Sequence, residues 1–240
     1  MLTELMDGLR EMGVELSDSQ LEQFDTYRNE LLLSHQRVNL TAITEPAEIE
    51  TRHFLDSLTL LYVLRERTAT GTGLSIIDVG SGAGFPGIPV KLVLPNIRLT
   101  LLEATGKKVT FLSHLVTALG LRGVDVVHGR AEEVARLPAY RETYDVAVAR
   151  AVASLATLAE ICLPFVRIGG QFIALKKGDI GAEIERSRSA VARLGGADVH
   201  LFEVPLRQLP DSRYLVYVAK TSHSPLQYPR RPGMPFKRPI

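Results

Sequence analysis

The 240-residue sequence has a single cysteine, Cys162. That excludes an internal disulfide framework and a cysteine-rich zinc site, and it suits a reducing compartment. His35, His114, His128, His200 and His223 show no metal-ligand spacing, so no metal is expected. No apolar run approaches the roughly 20 residues that span a bilayer, and the first seven residues, MLTELMD, are acidic where a secretory leader would be basic. A cytoplasmic chain with no membrane partner is the expectation. An excess of either charge is missing too, with 28 Lys+Arg against 27 Asp+Glu. The balance conceals an asymmetry: residues 1–30 hold eight acids and two bases, residues 205–240 one acid and seven bases. A basic end of that kind is a candidate phosphate footprint, set against a merely solvated tail.

What is present centres on residues 75–89, SIIDVGSGAGFPGIP. Ser75–Val79 reads as a buried parallel strand carrying an acid, Asp78. Gly80, Gly82, Gly84 and Gly87 then follow within eight residues, which suits a tight strand-to-helix turn with its backbone against a ligand. Gly82-x-Gly84-x-x-Gly87 also matches the dinucleotide fingerprint, so an NAD-type oxidoreductase is the rival reading. Against it, Pro86 stiffens the turn where a pyrophosphate needs free N–H groups. The order of acid, three alternating glycines and a second acid, Glu103, 25 residues after Asp78, resembles the S-adenosylmethionine turn of Rossmann-like methyltransferases. Asp78 suits the cationic amino-acid end of that ligand, and Glu103 can take both ribose hydroxyls.

Along the chain, Leu2, Leu5, Leu9 and Met12 predict a short amphipathic helix. Ser17 to Gln20 forms a capping box before a second helix reaching about Leu33. Asn39–Ile43 breaks the pattern, and Thr44 with Pro46 reopens a helix carrying His53 and Asp56. From Ser75, strands at 75–79, 98–103, 124–128, 144–149 and 170–175 alternate with helices at about 87–94, 106–119, 131–137 and 154–166. A helix at 179–194 precedes consecutive strands at 199–204 and 214–219. Such a closing hairpin, inserting an antiparallel strand, is the methyltransferase variation on the Rossmann sheet. The expectation is an α/β chain with a seven-stranded, mostly parallel sheet. A helical extension occupies residues 1–67, the Rossmann-like domain 68–220, and a basic proline-rich tail 221–240. Five prolines and no acid make helix or central strand unsuitable for residues 221–240.

By the doubly wound rule the ligand lies beyond the carboxyl ends of the strands. That collects the glycine turn, Glu103, the Gly129–Glu133 segment and Arg150. Glu132 and Glu133 read either as adenine contacts or as acids favoured at a helix N-terminus. Arg150, closing an apolar strand, faces the meeting point of methyl donor and acceptor, or else forms an ion pair at the sheet edge. His53 and Asp56 read as a catalytic pair or as a cross-link to the sheet. After Arg150 there is neither the Asn/Asp-Pro-Pro-aromatic turn of exocyclic-amine methyltransferases nor a Pro-Cys nucleophile. An acceptor that needs no deprotonation, such as guanine N7, fits that absence.

Several segments match one family in order: residues 39–43 (NLTAI), 53–58 (HFLDSL), 78–89 (DVGSGAGFPGIP), 129–133 (GRAEE) and 150–153 (RAVA). From about residue 16 to the tail the chain resembles the glucose-inhibited division protein B family, bacterial small-subunit ribosomal RNA methyltransferase G. The resemblance implies methyl transfer from S-adenosyl-L-methionine to N7 of one guanine in the decoding-region loop of 16S ribosomal RNA. It implies cofactor contacts at Gly80, Phe85, Ala131 and Glu132, with Glu103, Ala104 and Thr105 at the ribose and adenine, and it carries the strand-end arginine onto Arg150. Where many members have serine, this chain has Ala149. A monomer is expected. A protein that keeps the cofactor only for non-catalytic RNA binding is a further rival. Arg230 and Arg231 are candidate contacts to RNA phosphates, with Tyr228 stacking on the fold or on a base.

Overall fold

The computed structural model describes residues 2–38, 43, 45–68, 73–150 and 153–240. Residues 39–42 of the expected break, Thr44, residues 69–72, and Ala151-Val152 of the matched 150–153 segment lie outside them. Four strands coincide with the apolar runs: β1 (Ser75–Val79), β2 (Arg98–Glu103), β3 (Val124–His128) and β4 (Tyr144–Ala149). β5 (Val166–Lys177) is longer than its apolar centre, and β6 (Gly196–Glu203) and β7 (Arg213–Lys220) complete the sheet. The order is β3-β2-β1-β4-β5-β7-β6. Pairing is parallel from β3 through β5, and β7 runs antiparallel between β5 and β6.

Alternate strand residues feed opposite faces, as the pleat requires. Ile76, Val146 and Val148 enter one core; Ile77, Ala147 and Ala149 enter the other. The first core is covered by α6 (Gly87–Val93), α7 (Gly106–Ala118) and the N-terminal helices. These are α1 (Thr3–Glu11), α2 (Asp18–Val38), α3 (Pro46–Ile49), α4 (Asp56–Leu58) and α5 (Leu61–Thr68). A π-helical turn, Glu50–Leu55, joins α3 to α4 and carries His53 and Phe54. The Ser17 cap is in place: its N–H donates to Gln20 Oε1 at 2.9 Å, and Gln20 N–H donates back to Ser17 Oγ at 3.3 Å. The helix it starts runs five residues beyond Leu33, to Val38. The Gln20 and Gln23 amides donate to the carbonyls of Leu92 and Leu119, so α2 is bolted to the ends of α6 and α7. Phe24 and Phe54 meet edge-to-face at 5.1 Å, an aromatic pair worth about 0.5–1.5 kcal/mol beyond its buried area.

The second core lies under α8 (Ala131–Val134), α9 (Leu155–Cys162) and α10 (Gly181–Arg193). Cys162 is buried there, its thiol pushed well up by desolvation, consistent with a core role. The tail crosses this face and is pinned. Arg136 and Arg141 donate to the carbonyls of Ser224, Gln227 and Tyr228. Thr157 Oγ1 donates to Pro235 O at 2.9 Å. The expectation that the tail holds no helix is corrected by one turn, α11 (Met234–Lys237). Pro235 sits at the start of that turn, where its missing N–H costs nothing. Gly233 precedes it with φ 81°.

Candidate active site

The glycine turn divides its work. A Cβ added at Gly80 would meet nothing within 4 Å, and one at Gly82 only Gly80 O at 3.9 Å. Both have positive φ, 78° and 61°, so the backbone there is left-handed and open on one side. Gly84 is left-handed too, with φ 99°, but faces inward: a Cβ would strike Ile88 at 2.6 Å and Tyr27 Oη at 2.7 Å. Tyr27 comes from α2 and donates to Ala83 O at 2.6 Å, so the N-terminal helices hold the turn from behind.

Asp78 lies beneath the turn, 0% exposed. Its Oδ2 accepts from Gly87 N–H at 2.9 Å, whereas Oδ1 has no partner among the described residues. Desolvation pushes its carboxyl up to about 7, opposed by the Gly87 bond and the Arg150 charge. A direct contact with the cationic end of a ligand is thus not what the geometry offers. Asp78 shapes the turn from the inside.

Glu103, closing β2, is buried with its carboxylate against the turn. Its Oε2 accepts from Gly82 N–H at 2.9 Å and its Oε1 from Thr105 N–H at 2.8 Å. A carboxylate offers about four lone-pair sites, so two remain for ribose hydroxyls. Ala104 and Thr105 are exposed beside it. Ala131, half-buried, begins α8, where unpaired amides favour a polar ligand. Glu132 is turned towards the tail, its Oε1 accepting from Gly233 N–H at 2.8 Å.

Arg150 ties the two halves together. Its Nη1 donates to Arg52 O at 3.1 Å and Asp56 Oδ2 at 3.2 Å, and its Nη2 lies 3.2 Å from His53 Nδ1. Its Cζ sits 4.8 Å from the centre of the Phe85 ring. Phe85 stacks between His53, at 4.5 Å, and Tyr27, at 5.2 Å. Desolvation and the Arg150 charge together hold His53 down to about 3, so its imidazole is neutral and accepts from Arg150. Arg213 Nε donates to the second oxygen of Asp56 at 2.8 Å. Of the two readings of His53 and Asp56, the contacts support the cross-link. Phe85, expected at the cofactor, is enclosed by this cluster.

Two tail expectations change. Tyr228 is buried on the fold, so it has no face for a base. Arg230 points inward: its Nε and Nη2 donate to the Glu160 carboxylate at 2.9 and 2.6 Å, and its own N–H donates to Glu160 Oε1 at 2.8 Å. Glu160 is 0% exposed, and a buried carboxylate claims the nearest guanidinium before any phosphate can. Arg231 remains exposed. Sequence reasoning missed Tyr27 and Arg213 as members of the site cluster. Tyr27, at helical spacing from Phe24 and Leu31, reads only as a core residue, and Arg213 carries no local signal.

The open Gly80–Gly82 backbone and the spare lone pairs of Glu103 fit an adenosyl ligand, and β7 inside the sheet separates the fold from plain dehydrogenases. The class is that of the S-adenosylmethionine-dependent methyltransferases, with S-adenosyl-L-methionine as cofactor. Residues 20–209 match the family GidB, rRNA small subunit methyltransferase G. Over 239 residues the chain is 47% identical to the ribosomal RNA small subunit methyltransferase G of Dehalococcoides mccartyi, covering 100% of both chains. The Roseiflexus castenholzii protein of the same description is 48% identical over 244 residues, again covering 100% of both. The chain belongs to this family of small-subunit ribosomal RNA methyltransferases. Among solved structures, the citrinin polyketide synthase CMeT domain shares the fold at 10% identity and a TM-score of 0.56, over 70% of this chain and 53% of that one. A Pyrococcus horikoshii structure does so at 13% identity and 0.50, over 66% and 63%.

Proposed function

We propose that the chain methylates N7 of one guanine in the decoding-region loop of 16S ribosomal RNA, acting as a cytoplasmic monomer without a metal. When bound, S-adenosyl-L-methionine supplies an electrophilic methyl group. Gly80 and Gly82 would receive it along their open backbone, Glu103 would accept from its ribose hydroxyls, and Ala104, Thr105, Ala131 and Glu132 would border the adenine. The observation that carries the reading is the Arg150 cluster. His53 spends Nδ1 on Arg150 and is held neutral, and both Asp56 oxygens are taken by arginines. The cluster therefore orients groups and is not built to remove a proton. Guanine N7 has a free lone pair and needs only alignment, for which geometric placement supplies the rate. No observation favours the oxidoreductase or the non-catalytic alternative.

The test is incubation of purified protein with labelled cofactor and small-subunit RNA, followed by nuclease digestion and mass mapping. Label on N7 of a single guanine is expected. Label on an exocyclic amine or a ribose hydroxyl would refute the assignment. Presenting naked RNA and assembled particles in parallel identifies the physical substrate.

A further inference from the structure

A cavity of about 970 Å³ opens beside Arg150, lined by Arg52, His53, Asp56, Arg150, Leu175 and residues of α10. Neither the glycine turn nor Glu103 lines it, so it is not the cofactor cleft but its neighbour. The two share Arg150, which places the cavity where an acceptor would approach a bound methyl donor. Its volume falls at the upper end of the roughly 300–1,000 Å³ typical of small-ligand sites, roomy enough for a nucleotide with its flanking phosphates.

The charge of the lining follows a simple order. Asp56 is shared by Arg150 and Arg213, and Glu183 by Lys176 at 2.7 Å. Those paired groups form the deep wall. Lys177 has no ion-pair partner among the described residues, and Arg186 spends only Nε, on Ala182 O at 3.0 Å. Both are exposed at the rim, on β5 and α10. Arg52 adds a third cation, held loosely by Glu48 at 3.2 Å, and Asp179 is the one lining acid without a cationic partner among the described residues. A partly apolar pocket with free cations at its mouth suits a base turned out of a single-stranded loop, with its phosphates left at the surface.

We infer that this cavity receives the acceptor nucleotide and that Lys177 and Arg186 hold the phosphates beside it. The inference rests on the RNA methyltransferase reading and names the substrate-side contacts of that site. It also moves the phosphate contacts away from Arg230, which Glu160 occupies.

The experiment compares wild type with the Lys177→Ala/Arg186→Ala double variant, using small-subunit RNA across a salt series. Each phosphate contact in single-stranded RNA contributes about 0.7 to the slope of log affinity against log salt, so the double variant should be flatter by about 1.4. Its KM for RNA should rise about 2–30-fold, as expected for losing two exposed charge contacts, while cofactor affinity by calorimetry stays at the wild-type value. Arg98→Ala/Arg122→Ala, at exposed positions by the opposite ends of β2 and β3, serves as the control and should match wild type. Parallel salt lines for wild type and the Lys177/Arg186 variant would overturn the inference while leaving the methyltransferase reading intact. Wild-type protein that transfers no label to RNA would instead bring down the reading beneath it, and the inference with it. Should the double variant fail to fold, Lys177→Gln alone replaces one exposed side chain and should flatten the slope by about 0.7.

Discussion

Replacing Asp78 with asparagine separates two roles that one carboxylate could play under a cofactor turn. Asparagine keeps an oxygen for the Gly87 N–H and removes the ionisable group. Burial raises the Asp78 pKa in the folded protein from 3.8 to about 7, so between about pH 4 and 7 the native state holds a proton that the unfolded chain has released. The contribution of such a raised group is fully present below the unfolded value and is lost as pH rises through the folded one. The loss is about 1.4 kcal/mol per pH unit inside that window, or on the order of 4 kcal/mol across it. Asp78→Asn abolishes the loss. In urea titrations of the cofactor-free protein, variant stability minus wild-type stability should therefore climb by about 1.4 kcal/mol per pH unit from about pH 4 to 7, then level off. Titrating groups not coupled to Asp78, His53 among them, cancel in the difference. Because Asp78 is enclosed, S-adenosylmethionine affinity at pH 7 should change by less than about 3-fold, well short of the cost of a lost charged hydrogen bond. A flat difference profile together with a 10–100-fold loss of affinity would refute the reasoning and return Asp78 to the ligand.

Glu103→Ala should weaken S-adenosylmethionine binding about 10–100-fold by calorimetry, since hydrogen bonds to a charged group contribute about 1.5–3 kcal/mol; wild-type affinity would remove the ribose assignment. Arg150→Lys should cut methyl transfer about 100-fold, because one ammonium cannot span Arg52 O, Asp56 and His53 while covering Phe85. Its melting temperature should fall only slightly, because Arg213 still pairs with Asp56, and the reverse pattern would make Arg150 purely structural. Arg230→Ala should destabilise the fold by about 3–5 kcal/mol in urea titration, by leaving the buried Glu160 carboxylate without its guanidinium and with a backbone amide alone as donor. Arg230→Ala/Glu160→Gln should recover much of that loss, and no recovery would mean the pair is not the cause.

The sheet was legible because its signals are local. β1 to β4 are apolar runs bounded by glycine or charge, and their limits match the sequence reading to the residue. The open part of the turn and Glu103 were legible for the same reason: residue type and spacing specify them. The tail was not. Its basic residues and prolines suggest solvent or RNA, and nothing near Arg230 announces a partner 70 residues earlier in the last turn of α9. Glu132 was ambiguous in sequence, and its bond to Gly233 depends on a contact 101 residues away. Asp78 was correctly placed in the strand, but whether an acid under a glycine turn faces ligand or core is decided by packing, here by the Gly87 amide and by Tyr27 behind the turn.

The Arg230–Glu160 pair also imposes a schedule on synthesis. Chains grow at about 5–20 residues per second, so Arg230 is joined roughly 4–14 s after Glu160, 70 residues earlier. Throughout that interval α9 carries a carboxylate that cannot be sealed against the second core without its guanidinium. The β1–β4 half of the sheet can form while the chain is still growing. The α9 face must wait, and its closure marks the arrival of the C-terminal segment, so a ribosome stalled before Arg230 would display a nascent protein with one face finished and the other unlatched.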